Sequence, residues 1–251
     1  MAVEPVLGEP AAVADLDGER ALVVADYHAG LEAALRREGV ELPDGAGERR
    51  ESLLALIDSE RPDRLVVLGD LCHAIGSPSG DEREELRALF AALPADLSVT
   101  LAKGNHDGDV ADFLDDAAPR VELTPGHGVR IGDVGFAHGH TWPSPDVLAA
   151  EEVCVGHEHP VVRLEDEVGG RRVERVWLRG GLDPGPFEDY YDQALAIDGE
   201  LVVFPGFNDR SGGTWVNVEG QDFLAPFLPA GLRNGEAYML DGTRLGDYRR
   251  V

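Results

Sequence analysis

This sequence predicts an α/β fold, built as two β-sheets packed face to face with helices outside, and three observations lead there. Short apolar runs ending in turn residues recur along the chain, too short to be helices. Between the first four of them lie stretches whose apolar residues repeat at helical spacing. Past Val110 the helical texture gives way to extended segments broken by Gly, Pro and Asp. A chain of 251 residues suits a single domain spanning 1–251 and is ample to bury a core.

Taken in order, the first predicted strands are Ala21 to Ala25, Leu65 to Leu68, Ser98 to Ala102, Val134 to Ala137 and Val153 to Val155, the first half reading as β-α-β-α-β. The intervening helices carry Leu31, Ala34 and Leu35, then Leu53, Leu54 and Ile57 before Pro62, then Leu86, Leu89, Phe90 and Leu93 before Pro94. The second half reads as mostly β, with strands at Val161 to Leu164, Arg172 to Trp177, Gln193 to Ile197 and Leu201 to Phe204. Asp198-Gly199 supplies a two-residue hairpin turn between the last two. Residues from about 205 to 251 hold a second hairpin signal at Asp241-Gly242 and read as a C-terminal extension packed on the same domain. A dinucleotide-binding fold is excluded, because Ala25-Asp26-Tyr27-His28 stands after the first strand where a glycine-rich turn is required.

The composition narrows the function classes. Forty-eight Asp and Glu oppose 22 basic residues, of which only Lys103 is a lysine, for a formal charge of −26. A basic nucleic-acid-binding domain is ruled out, and so is a disulfide framework, since the only cysteines are Cys72 and Cys154. No apolar stretch approaches the roughly 18 residues of a membrane span, and no basic leader precedes one, so a cytoplasmic protein is expected. Self-repulsion at this charge is largely screened at about 1 M salt, where the Debye length is about 3 Å. With arginine in place of lysine, the composition resembles that of proteins from salt-accumulating halophiles.

The chemical signal lies where the unusual residues fall. Asp26 and His28 follow the first predicted strand, Asp70 the second, and Asn105, His106 and Asp107 the third; His138 ends the fourth, and His157 and His159 follow the fifth. Strand ends are where α/β folds place their sites. In extended segments residues two apart point the same way, so Asp26 pairs with His28 and His157 with His159. Glycines at 69, 104, 139 and 156 let the backbone approach the site closely. Oxygen and imidazole donors without thiolates suit Mn²⁺, Fe²⁺ or Zn²⁺ in a reactive rather than a structural site. Seven candidate ligands (Asp26, His28, Asp70, Asn105, His138, His157 and His159) exceed one tetrahedral shell, which calls for two ions.

The ordered motifs ADYH at 25–28, GD at 69–70, GNHD at 104–107, HGH at 138–140 and GHEH at 156–159 resemble the calcineurin-like metallophosphoesterase superfamily. LGDLCH at 68–73, GHEHP at 156–160, PGFN at 205–208 and GG at 212–213 are similar to its ICC-like prokaryotic phosphoesterases, a group that includes DNA-ligase-associated damage-response endonucleases and archaeal relatives found alongside helicases. One departure from the wider superfamily is Leu71-Cys72-His73 after Asp70, where many members carry an arginine; the histidine favours the ICC-like group over the protein phosphatases.

The resemblance implies a four-layer α/β/β/α sandwich of two mixed sheets and two divalent metal ions, Mn²⁺ foremost, with Fe, Zn, Ni or Mg as alternatives. It implies that one ion takes Asp26, His28 and His159, the other Asn105, His138 and His157, and that Asp70 bridges. His106 would protonate the leaving oxygen with Asp107 orienting its ring, while His73 and His140 touch a phosphate oxygen, support a ligand or satisfy a loop carbonyl. The expected activity is hydrolysis of phosphodiesters, with DNA or RNA as candidate substrate and a helicase or ligase as candidate partner. A nucleotide or small-molecule phosphatase is the alternative, and a non-catalytic scaffold a third reading. Arg163, Arg171, Arg172, Arg175 and Arg179 either meet a phosphate backbone or, as ordinary surface pairing favours, neutralise Glu165, Glu167 and Glu174.

Overall fold

The computed structural model describes residues 2–118, 120–165 and 169–251. The first sheet holds six strands in chain order: β1 (Val3–Pro5), β2 (Ala11–Leu16), β3 (Glu19–Val24), β4 (Arg64–Val67), β5 (Ser98–Ala102) and β6 (Val121–Thr124). β3 to β6 run parallel, and β1 and β2 add an antiparallel edge. Parallel neighbours need crossovers, and the helical repeats supply them. α1 (Leu31–Arg37) and α2 (Ala46–Glu60) join β3 to β4, α3 (Gly80–Ala92) joins β4 to β5, and α4 (Val110–Ala117) joins β5 to β6. α2 turns Leu53, Leu56 and Ile57 onto the sheet and stops at Arg61, ahead of Pro62. In α4, Val110, Phe113 and Leu114 face inward, while Asp112, Asp115 and Asp116 form a solvated face.

The second sheet orders β14 (Arg244–Asp247), β13 (Leu232–Met239), β11 (Arg171–Leu182), β12 (Glu200–Val203), β9 (Glu152–Val155), β8 (Val134–Ala137) and β7 (Val129–Ile131), with β10 (Val161–Glu165) paired to the first half of β11. β8, β9 and β12 are parallel and the rest antiparallel. The inner faces of the two sheets meet through Val23, Val66, Leu68, Phe136, Cys154, Trp177, Val202 and Phe204. α2, α3 and α4 cover the outer side of the first sheet. α5 (Pro145–Leu148), α6 (Gly185–Tyr191) and residues 225–232 cover that of the second. The result is the α/β/β/α sandwich of two mixed sheets that the sequence predicts. Among the described residues no helix is long and apolar enough to cross a membrane.

Two local expectations differ. Residues 193–197 form no strand, and Asp198-Gly199 turns no hairpin. The segment instead leaves α6, and Gly199 packs against Ala150 and Glu151, where a Cβ would sit 2.7 Å from the Glu151 carbonyl. Close approach, not turn geometry, accounts for that glycine. Asp241-Gly242 does turn between β13 and β14, with Gly242 at φ +85°. β13 pairs with β11 along most of its length, so part of the 205–251 segment is integral to the second sheet.

Candidate metal centre

The parallel strands of both sheets end on one side of the sandwich, and the loops leaving them carry every residue singled out as a ligand. Asp26 and His28 follow β3, Asp70 follows β4, Asn105 and His106 follow β5, His138 follows β8, and His157 and His159 follow β9. The paired spacing does not act through extended alternation as expected. Asp26 (φ 58°), His28 (φ 49°), Asp70 (φ 47°), His157 (φ 71°) and His159 (φ 43°) all adopt the left-handed conformation. Each such non-glycine residue costs on the order of 1–3 kcal/mol and persists only where its surroundings over-determine it. Gly156 shows the crowding, since a Cβ there would lie 2.9 Å from both Asp26 Oδ2 and the Leu68 carbonyl.

Ligand atoms lie mutually within 4.8 Å in three groups: Asp26, His28 and His159; Asp70, His138 and His157; and His28, His73 and His106, the last sharing His28 with the first. His159 Nε2 lies 3.1 Å from Asp26 Oδ1 and 3.4 Å from His28 Nε2. His138 Nε2 lies 3.0 Å from Asn105 Oδ1 and 3.4 Å from Asp70 Oδ1, which adds Asn105 to the second group. Asp70 stands between the first two groups, with Oδ2 3.9 Å from His28 Nε2. Backbone amides hold both carboxylates: His157 N donates to Asp26 at 3.1 Å, and His106 N to Asp70 at 3.0 Å.

Outer contacts set which imidazole nitrogen faces inward. His138 Nδ1 donates to the Leu68 carbonyl at 2.8 Å. His159 Nδ1 donates to Ser211 Oγ at 2.8 Å and to the Gly212 carbonyl at 3.2 Å, while Ser211 Oγ itself donates to the Asn208 carbonyl. Each Nε2 then presents a lone pair toward carboxylate or amide oxygens, so acceptors confront acceptors. Such a cluster requires a cation, either a proton or a metal. Against burial, Asp70 and then Asp26 lift His138 to about 9, so the carboxylates favour positive charge at this ring. Burial pushes His28 and His157 down to about 4, keeping them neutral ligands at pH 7. Burial alone would raise Asp26 and Asp70, but the neighbouring imidazoles hold both below the ordinary carboxylate range. Neither cysteine belongs to these groups, and the buried oxygen and imidazole donors fit a pair of divalent ions.

Asp107 departs from its expected contact with His106. Its Oδ1 accepts from Cys72 N at 3.1 Å and its Oδ2 from Gly104 N at 2.9 Å, so it ties the β4 and β5 loops together. The His106 ring is positioned instead by the His73 carbonyl, against which Nδ1 rests. His106 Nε2 lies 3.9 Å from Asp70 Oδ2, its side chain partly open to solvent. The His73 ring stacks on that of His106 at 5.7 Å, and the His140 ring lies 5.4 Å from that of His138. Burial lowers both His73 and His140, and their Nδ1 atoms have no hydrogen-bond partner among the described residues.

Residues that sequence reasoning did not single out complete the surroundings. Ser211 and the Gly212 carbonyl orient His159, and Asn208 Nδ2 donates to the carbonyls of Tyr27 and His28. They lie in or beside the PGFN and GG motifs, the one signal that pointed to them. Glu82, in the first turn of α3, accepts from the backbone of His73 and Ala74. Behind the β3 loop, Arg49 bridges the buried carboxylates of Glu32 and Glu85 and lies over the Tyr27 ring, between Asp26 and His28.

The arginine-rich stretch divides. Arg171 pairs with Glu165 and Arg172 with Glu174, the ordinary surface neutralisation, whereas Arg179 pairs with the buried Glu152 and with Glu200. Glu167 lies outside the described residues. Arg163 and Arg175 form no ion pair with any described residue.

The profile of the calcineurin-like phosphoesterase family matches residues 19–183, which include every ligand candidate. The crystal structure of Pseudomonas putida nuclease MPE is similar at 18% identity, covering 95% of this chain and 97% of that one with a TM-score of 0.54, a likeness of fold. YfcE, a phosphoesterase from E. coli, covers 90% of this chain and 96% of its own at 14% identity and a TM-score of 0.39. No curated protein matches the sequence.

Proposed function

The chain belongs to the calcineurin-like phosphoesterase family of metal-dependent hydrolases acting on phosphoester bonds, and from that premise we propose that it hydrolyses phosphodiesters, those of nucleic acid foremost, with two Mn²⁺ ions. The observation that carries this reading is the placement of Asp70 between two ligand groups. Asp26, His28 and His159 would hold one ion, Asn105, His138 and His157 the other, and Asp70 both. When bound, such a pair polarises phosphoryl oxygens and lowers the pKa of water enough to yield a nucleophile near neutral pH.

The protein's own groups do the remaining work. Ser211 and the carbonyls of Leu68 and Gly212 keep imidazole lone pairs aimed inward. His106, with Nδ1 against the His73 carbonyl, keeps Nε2 free to carry a proton to the leaving oxygen. Asp107 keeps Cys72 and Gly104 in register, which fixes where that nitrogen stands. The resemblance of the motifs to damage-response endonucleases extends the proposal to nucleic-acid repair beside a helicase or ligase.

With Mn²⁺ supplied, bis(p-nitrophenyl) phosphate is expected to turn over faster than p-nitrophenyl phosphate; preference for the monoester would favour the phosphatase alternative. Mn²⁺ at about 100 times its Kd should add about 2.7 kcal/mol of stability. At about 2–4 °C per kcal/mol, calorimetry then reads a Tm rise of roughly 5–10 °C, reversed by EDTA. No rise would count against a metal centre.

The charge of −26 makes a further expectation specific to polyanions. Raising KCl from about 0.1 M to about 1 M shortens the Debye length from about 10 Å to about 3 Å and screens the repulsion between protein and strand. KM for an oligonucleotide should therefore fall as salt rises, the reverse of a basic nuclease. A KM that climbs steeply with salt would contradict this.

A further inference from the structure

Resting on the phosphodiesterase reading, we propose that the face of the β10–β11 hairpin beside His159 is a nucleotide subsite, where Trp215 stacks on an unpaired base and Arg175 binds the adjoining phosphate. A cavity of about 460 Å³ opens there, walled by His159, Val161, Val173, Arg175 and Trp215, with the carboxylates of Glu174 and Asp209 at its edge. His159 belongs to both this cavity and the metal centre, so a strand held here leads directly to the reacting phosphate.

Strand pairing explains the wall. Val161 lies opposite Arg175, and Arg163 opposite Val173, so these four side chains share one face. On the other side of β10, Trp215 bridges to Val161: Val161 N donates to the Thr214 carbonyl and Val216 N to the Val161 carbonyl. Trp215, Val161 and Arg175 thus stand side by side across about 10 Å, two strand spacings.

The chemistry of that row is mixed in the way a nucleotide requires. Val173 is 51% exposed and Trp215 half-buried, an apolar floor that a base would cover. Arg175 donates from one nitrogen to the Gly206 carbonyl at 3.0 Å and forms no ion pair with a described residue, although Asp209 and Glu9 lie within its field. Its neighbour Arg171 is neutralised by Glu165 across the hairpin, whereas Val161 occupies the corresponding place opposite Arg175. A cation with no carboxylate in direct ion-pair contact, beside an aromatic face, suits a phosphate next to an exposed base. A duplex hides its bases in the stack and cannot use Trp215 in this way.

The test is fluorescence anisotropy of a labelled phosphorothioate oligothymidylate with the Mn²⁺-loaded full chain. Trp215→Ala should weaken binding about tenfold, and Trp215→Phe, which keeps an aromatic face, should restore most of it. Arg175→Gln should weaken binding and shift the slope of log K against log salt upward by about one ion, so that binding strengthens more steeply with salt than in wild type. The proposal is overturned if Trp215→Ala and Arg175→Gln both bind like wild type, if Trp215→Phe is as weak as Trp215→Ala, or if duplex binds as tightly as single strand. Failure to hydrolyse bis(p-nitrophenyl) phosphate would instead sink the phosphodiesterase reading, while anisotropy would still report on the subsite.

Discussion

Replacing Asp70 with alanine is expected to lower kcat/KM on bis(p-nitrophenyl) phosphate by at least about a thousandfold, the equivalent of about 4 kcal/mol of transition-state stabilisation. The position explains the size. Asp70 lies 3.4 Å from His138 and 3.9 Å from His28, so its loss takes one donor from both ligand groups at once. It also accepts from the His106 amide at 3.0 Å, so the loop carrying the proposed acid is released with it. Metal analysis on the same variant should show reduced Mn²⁺ content, and the Tm rise on adding Mn²⁺ should shrink. Full activity of Asp70→Ala would place the chemistry elsewhere. Removing His106 by alanine tests a different step, with an expected loss of about 10²- to 10⁴-fold in kcat and metal content unchanged.

A second large effect is expected at a residue that is not itself a ligand. Arg49→Met should destabilise the protein by about 3 kcal/mol, because it leaves the buried Glu85 carboxylate with no cation and only the Gly30 amide, while Glu32 keeps Arg210 at 3.1 Å. All three side chains of this network are at most 6% exposed, and Arg49 meets the two carboxylates at 3.0 and 2.6 Å. Chemical denaturation would show a lower midpoint, and converting Glu32 and Glu85 to glutamine in the same variant should recover much of the loss. The network also supports the site from behind. Glu85 accepts from Gly30 N at 2.8 Å, and Arg49 lies 5.2 Å from the centroid of the Tyr27 ring, which stacks on Phe207. Arg49→Met is therefore expected to weaken Mn²⁺ binding as well, whereas an unchanged midpoint would show that the buried charges find other partners.

Much of the molecule was legible from residue order. The runs at 21–25, 65–68, 98–102, 134–137 and 153–155 became strands, because a buried parallel strand needs apolar residues on both faces and a turn at its end. What escaped had weaker local signals. The segment 193–197 alternates like a strand yet finds no neighbour to pair with, since β12 is already flanked by β9 and β11. Asp107 beside His106 invited a side-chain pair, but adjacency along the chain does not fix which way a carboxylate turns, and two backbone amides claimed it.

The sequence by itself determined the layered α/β architecture and the set of oxygen and imidazole donors at the strand ends. Both follow from local chemistry: side-chain periodicity decides which face is buried, and residue type decides what a loop can ligate. Only the tertiary structure decided how those donors meet. Ligands 131 residues apart, such as His28 and His159, come within 3.4 Å because strands from two sheets end on one side of a shared core. It also decided which residues stand opposite each arginine of the hairpin: Glu165 faces and neutralises Arg171, whereas Val161 faces Arg175, which lines the cavity beside the metal centre.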